Sequence, residues 1–321
     1  MKIEIFSISI LILIACPAVS SEAETNHRQR GVLIEEKIVL RDIPPDNGPV
    51  RIWLPYPQSK KEQVIEDFQI NSPVEAIFTT EPEYGNKVIY LEAEGIKEYL
   101  SLSVSFVARR KEYTEDNTIS GATLLKRFLK PDRRVPVNGE IKNLALNITR
   151  GKRGDMEKVR SIYDYLRDEL TYSKDDPAIC GIGDSLITLR YKKGICTDYH
   201  SLFISLVRSI GIPARFEIGF PIPKNVKEGK INGYHCWAEF YIEGRGWIPV
   251  DISEADKHPE NKDYFFGHLD ENRVHLTTGR DIRLNPEQEG EALNFFVFPY
   301  VEIGGKPFDK ISTDIIFKDL T

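Results

Sequence analysis

The sequence predicts an α+β protein, an all-β sandwich followed by a domain in which helices precede an antiparallel sheet. Three observations predict it. Apolar and polar residues alternate along residues 30–110 with no helical stretch of convincing length. Two segments of helical period follow, at residues 154–170 and 197–210, and from residue 215 the period returns to two.

At the start, "MKIEIFSISILILIACPAVSS" places Lys2 ahead of a charge-free run from Ile5 to Cys16, then small residues. The run is shorter than the roughly 20 apolar residues of a membrane-spanning helix. It reads as a secretory signal peptide over residues 1–20, although Glu4 dilutes the positive start. "LIAC", Leu13 to Cys16, is similar to the bacterial lipoprotein box, so Cys16 is a lipidation candidate that would attach the chain to a membrane. Ala18-Val19-Ser20 offers the competing cut for soluble secretion. With either cut the chain is exported, to the periplasm or cell envelope.

The strand-like segments of the first domain, residues 28–113, are "GVLIEEKIVL", the turn "PPDNG", "PVRIWLPYP", "KVIYLEA" and "LSLSVSFVA". Thr114 to Thr123, polar and turn-rich, reads as a linker. In "GDMEKVRSIYDYLRDEL", Met156, Val159, Ile162, Tyr163, Leu166 and Leu170 share one helical face, with Asp155 as the cap. A second helix buries Leu202, Phe203, Leu206, Val207 and Ile210; Gly211 stops it and Pro213 prevents its resumption. "RFEIGF", "HCWAEFYI" and "GWIPVDI" are strands, the last two joined as a hairpin by "EGRG". "NFFVFPYVEI" and "TDIIFKDL" continue as short strands, the latter within a C-terminal extension at residues 303–321.

Length and composition exclude several classes of function. The 321 residues, 41% hydrophobic and 29% charged, suffice for two ordinary globular domains. The net charge of −6 is interspersed, without the basic stripe that tracks a phosphate backbone, so nucleic acid is not an expected partner. Outside the leader the cysteines are Cys180, Cys196 and Cys236, an odd number, so one thiol stays unpaired within the chain. No CxxC or HExxH run supports a metal or a redox pair, and His258, His268 and His275 read as surface histidines. No metal and no cofactor is called for.

Cys196 carries the chemistry. It follows Lys192-Lys193-Gly194 and opens the second helix, where unpaired N–H groups and the positive end of the dipole favour a thiolate. A cysteine nucleophile needs a base, and the base needs a group that orients it. "YHCWAEFYIEGRGWIPVDIS" offers His235 and Asp251 on adjacent strands. A two-residue loop would put them on opposite faces. A three-residue loop, Glu243 to Arg245, pairs Ile242 with Gly246 and places His235, Trp237 and Asp251 on one face.

"GICTDYHSLFISLVRSIGIPAR" followed by "HCWAEFYIEGRGWIPVD" resembles the transglutaminase-like superfamily, in particular exported bacterial members with an N-terminal β-sandwich. The resemblance runs from about Val135 to Asp281, and "RIWLPYP" is similar to the opening strands of the associated sandwich. It implies a papain-like transglutaminase core within residues 120–302, with the cysteine-bearing helix packed on an antiparallel sheet. It also implies Cys196 as nucleophile, His235 as general base and acid, and Asp251 as the orienting carboxylate. Animal transglutaminases supply an indole upstream of the cysteine, whereas the tryptophans here are Trp53, Trp237 and Trp247. The Tyr172 hydroxyl is the candidate substitute in the oxyanion hole, beside the Cys196 N–H.

The neighbours have plainer readings. His200, one turn after Cys196, is a helix histidine paired with a local carboxylate, or else an alternative base. Asp198 favours the helix dipole. Arg215 partners acids, Trp237 shields the catalytic face, and Trp247 belongs to the core. Cys236 points away from His235 into the interior as a free thiol, with a bridge to Cys180 as the lesser alternative. The expected activity is acyl transfer at peptide or side-chain amides of a protein or peptide substrate, hydrolytic in outcome. Lysine-dependent crosslinking and a non-catalytic envelope binding protein are the alternatives.

Overall fold

The computed structural model describes residues 28–44, 48–114 and 121–320; the leader with Cys16, part of the "PPDNG" turn and most of the linker lie outside the described residues. The first six strands are β1 (Gln29–Ile43), β2 (Val50–Pro55), β3 (Gln63–Asn71), β4 (Ala76–Thr80), β5 (Lys87–Ala93) and β6 (Glu98–Lys111). Next come α1 (Ala122–Arg127), α2 (Gly139–Ile148), α3 (Asp155–Glu169), β7 (Thr171–Tyr172), α4 (Ser185–Tyr191), β8 (Lys193–Gly194) and α5 (Cys196–Ser209). The chain continues through β9 (Ala214–Pro221), β10 (Glu228–Lys230), β11 (His235–Ile242), β12 (Gly246–Val250), α6 (Ile252–Lys257) and β13 (Arg273–Thr278). It closes with β14 (Tyr300–Ile303), β15 (Lys306–Pro307) and β16 (Ile311–Asp319).

Alternation builds the sandwich. Along β6, Leu100, Leu102, Val104 and Phe106 point into the core while the serines between them stay half-exposed. One sheet has the order β10-β16-β1-β6-β3 and the other β15-β14-β2-β5-β4. The C-terminal strand β16 pairs with β1 from Val32–Asp319 to Leu40–Ile311, so residues 300–319 return to complete the first domain and cover the edge of β1. The strand read in "NFFVFPYVEI" begins only at Tyr300, after Pro299, which has no N–H to donate to a ladder.

The second sheet has the antiparallel order β12-β11-β9-β13. Helix α5 lies on one face, with Phe203 against Phe240 at 6.3 Å, and sandwich residues back the other. Every residue of α5 is buried, because α2, α3, α4 and α6 close the sides that the sheet leaves open. The polar residues of its far face therefore need internal partners. Ser201 donates to the Thr197 carbonyl at 2.6 Å, and Arg208 donates to Ala214 (2.8 Å), Lys130 (2.7 Å) and Asp132 (2.6 Å).

Three expectations need correction. Helix α3 is capped at Gly154, and Asp155 instead sits in its first turn beside Lys158 at 2.8 Å. The hairpin has the three-residue loop that parity requires, Ile242 opposite Gly246, but β12 stops at Val250. Asp251 turns the chain there as the N-cap of α6, accepting from the Glu254 N–H at 3.0 Å. His275 is not a surface residue like His258 and His268: it is 1% exposed, because β13 is covered on both faces.

Candidate active site

Cys196 is the first residue of α5, where first-turn N–H groups lack intrahelical partners. Asp198 organises that turn. Its carboxylate accepts from the Ile195 N–H (2.8 Å) and from Gly181 (2.6 Å) and Gly183 (2.8 Å), folding the 181–183 loop over the helix start. Gly194 must be glycine for a reason beyond the turn, since a Cβ there would stand 2.4 Å from that of Asp198. Lys192 adds less charge than its position suggests, because its ammonium pairs with Glu169 at 2.6 Å.

His235 opens β11, opposite Gly219 of β9, whose missing side chain lets β13 approach: a Cβ there would meet the Val274 carbonyl at 1.8 Å. The imidazole Nε2 is 2.6 Å from Asp251 Oδ2, which leaves Nδ1 as the ring nitrogen available to the Cys196 thiol. Asp251 is fully buried and well supplied with donors. Arg273 donates to Oδ2 at 2.8 Å, and the Ser253 hydroxyl and Glu254 N–H each donate to Oδ1 at 3.0 Å.

The charges follow from these contacts. Burial works against a charged His235, but Asp251 outweighs it and Cys196 adds to the effect, so the imidazole is pushed up to about 10. The Cys196 thiol is held well below its ordinary value, first by a hydrogen bond from Cys236 and then, against burial, by His235. Burial raises the Asp251 carboxyl, yet His235 and Arg273 together hold it well below the usual range. At neutral pH the arrangement is a thiolate beside an imidazolium, with a carboxylate behind.

This pair opens on a cleft of about 660 Å³. Tyr172 lines it, fixed by its own N–H on Asp256 (3.2 Å), which also accepts from the Tyr199 hydroxyl of α5 (2.9 Å). Burial, then the charge of Cys196, pushes the Tyr172 phenol up to about 12, so it remains an O–H donor. Trp237 is not among the cleft-lining residues. It is 1% exposed beneath the Arg273 guanidinium, 5.3 Å from it, and packs on Tyr113 and Leu269. Trp247 is buried against Phe128 and Tyr241, and Arg215 pairs with Glu217 (2.8 Å) and Glu239 (2.5 Å).

His200 is buried behind the pair rather than facing it. Its Nε2 accepts the Ile252 N–H at 3.1 Å and lies 3.6 Å from Asp251, so Nδ1 carries the proton, 3.7 Å from Cys236 Sγ. Burial pushes it down to about 4, and its lone pair is already taken by backbone. Cys180, Cys196 and Cys236 are all free thiols. No local pattern pointed to Arg273, which joins the site from β13 beyond β9, or to the first turn of α5 as the interior that Cys236 faces. Among the described residues no group of three or more His, Cys, Asp or Glu side chains could hold a metal ion.

A thiol on a helix start packed against an antiparallel sheet, with its histidine on that sheet, is a papain-like arrangement. Residues 142–252 match the family model described as the transglutaminase-like superfamily. An uncharacterized protein of Haemophilus influenzae is 27% identical over 307 residues, covering 82% of this chain and 83% of its own length. The uncharacterized protein YebA of Bacillus subtilis is 26% identical over 132 residues, which cover 37% of this chain and 18% of that protein. Among solved structures, a candidate cysteine protease from Cytophaga hutchinsonii superposes with a TM-score of 0.61 at 18% identity. That match covers 92% of this chain and 93% of the other, so the sandwich and the core share one fold there.

Proposed function

We propose that the chain is an exported cysteine-dependent acyl-transfer enzyme that cleaves peptide or side-chain amides through a thioester on Cys196, with water as the acceptor. What supports the reading is that Cys196 and His235 both line the cleft, with Asp251 2.6 Å behind the ring, and that the thiol is shifted down and the imidazole up. The Cys196 sulfur attacks the amide carbonyl. The developing oxyanion is met by the Cys196 N–H and the Tyr172 hydroxyl. His235 Nδ1–H protonates the departing amine, and the neutral ring then takes a proton from water as that water attacks the thioester. Asp251, held by Arg273, keeps Nε2 as a donor throughout and so fixes the ring for both steps. Export rests on the leader read in residues 1–20, with Cys16 as the lipid site; the mass of the N-terminal peptide of the protein recovered from cells tests it.

The activity test uses a glutaminyl peptide and an unmodified peptide pool, each with and without a labelled primary amine. Hydrolysis predicts free ammonia or new peptide ends with the amine unincorporated. Incorporated label in place of ammonia would turn the reading to crosslinking. Cys196→Ala should keep the folding transition and lose activity by at least ~10³-fold. Retained activity would remove Cys196 from the chemistry.

A further inference from the structure

The proposed mechanism leaves one buried nucleophilic group unused. Cys236 is fully buried on the α5-facing side of β11, opposite in direction to its neighbour His235. Its Sγ lies 3.9 Å from the Thr197 hydroxyl and 3.7 Å from His200 Nδ1, residues one and four positions after Cys196 on the same helix. Cys196 opens that helix, so both sulfurs lie at the start of α5. Helix start and strand thus bring two sulfurs together beneath the cleft floor.

We propose that Cys196 and Cys236 form a hydroperoxide-oxidation site, in which Cys236 resolves oxidised Cys196 into an intramolecular disulfide. The inference uses the same reactive sulfur as the proposed function and adds a modification to it. The two sulfurs are not equivalent. Cys196 lines the cleft and is held as the thiolate, the form that attacks peroxide. Cys236 is absent from the cleft lining and is kept as the thiol by burial and by the charge of Cys196. Order follows from this asymmetry.

In the first step the Cys196 sulfur attacks one oxygen of hydrogen peroxide. An S–O bond forms and the O–O bond breaks. The departing hydroxide leaves as water with the proton of the His235 imidazolium. Cys196 is then a sulfenic acid. In the second step the Cys236 sulfur attacks the Cys196 sulfur, forming the S–S bond and breaking S–O, and the hydroxide leaves as water with the Cys236 proton. Before this step the Cys236 thiol donates to the Thr197 hydroxyl oxygen; the His200 Nδ1–H points at Cys236 Sγ and stabilises the charge it develops as the proton departs. In sum two thiols are oxidised to a disulfide and one peroxide is reduced to two waters. A disulfide needs sulfurs about 2.05 Å apart. With Cys236 already packed on the first turn of α5, side-chain rotation brings the sulfurs together without parting helix from strand. The bridge blocks the nucleophile and spares it further oxidation to the irreversible acids.

The test treats the full chain with hydrogen peroxide, caps free thiols, and maps peptides before and after dithiothreitol. Expected is a species lighter by two hydrogens, a Cys196–Cys236 linked peptide, and recovery of Cys196 alkylation by iodoacetamide on reduction. In Cys236→Ser and Cys236→Ala, Cys196 should instead gain oxygens, and the fraction recovered on reduction should fall at least ~10-fold. If neither variant folds, the wild-type linkage map alone decides. Oxygen addition at Cys196 without a bridge, or a bridge to Cys180, would overturn the proposal while fast alkylation of Cys196 left the enzyme reading standing. Failure of Cys196 to react with either reagent would overturn both.

Discussion

Two histidine–carboxylate pairs sit on the same four-stranded sheet, and they end in opposite charge states. His235 pairs with Asp251, itself held by Arg273, and is pushed up to about 10. His275 pairs with Glu217 on β9, yet burial and then Lys60 push it down to about 4. The ingredients are alike. What differs is where the cation binds. Lys60 approaches His275 Nε2 directly, at 3.1 Å, and Glu217 is shared with Lys60 (3.2 Å) and Arg215 (2.8 Å). Arg273, in contrast, touches the carboxylate and not the ring, and the Cys196 sulfur gives His235 a second negative partner. Access differs as well. His235 lines the cleft, whereas Gln63 of the sandwich closes over the His275 backbone, accepting from its N–H (2.8 Å) and donating to its carbonyl (3.0 Å). A buried histidine beside an acid therefore defines no chemistry by itself. A thiol on a helix start and a path to solvent make the difference.

The largest expected effect that separates the pairs comes from neutralising each acid. Asp251→Asn should lower turnover about 10⁴-fold, because the amide no longer fixes the donor role of Nε2. Glu217→Gln should leave Cys196 alkylation within about two-fold of wild type and instead lower unfolding stability by ~3 kcal/mol, since it removes the buried charge that partners half-buried Lys60 and Arg215. Equal loss of activity in both variants would erase the contrast. Next, Arg273→Met removes one donor from Asp251 and should reduce turnover by roughly 10–100-fold, the cost of a charge-assisted bond in a dry site. Steady-state kinetics beside thermal unfolding separates this from simple loss of fold.

The last effect concerns pH and stability. His275 has a folded-state value of about 4, below its ordinary 6.5, so the unfolded chain binds more protons between them. Stability should fall as pH drops through that window, by up to about 3 kcal/mol for this group. His235 works with the opposite sign: its contribution is complete below its ordinary value and is lost as pH rises towards about 10. Denaturant unfolding of wild type and His275→Gln at neutral and mildly acidic pH isolates the first effect. Parallel curves for the two proteins would show that His275 carries none of it.

The same contrast shows what was legible in the sequence. Cys196 was readable because a Lys-Lys-Gly turn and the start of a helical period fall within a few residues of it. The register of the hairpin, Ile242 opposite Gly246, was readable because side-chain parity is strict and required the odd loop that Glu243 to Arg245 make. His275 was not readable. Alternation reports burial only when one face of a strand is wet, and all six residues of β13 are buried. The cap at Asp251 was hidden by the apolar strand that runs straight into it. Nor did any local pattern say that residues 300–319 would return to the sandwich, or that Arg273 would reach Asp251, since both depend on long-range pairing.

The most direct measurement is the rate of iodoacetamide alkylation at Cys196, resolved by peptide mapping, across mildly acidic to alkaline pH. A thiolate held by His235 and Cys236 should already react at its full rate in mildly acid solution. A Cys196 rate that rises only through the ordinary thiol value of about 8.5 would contradict the ion pair on which the site depends.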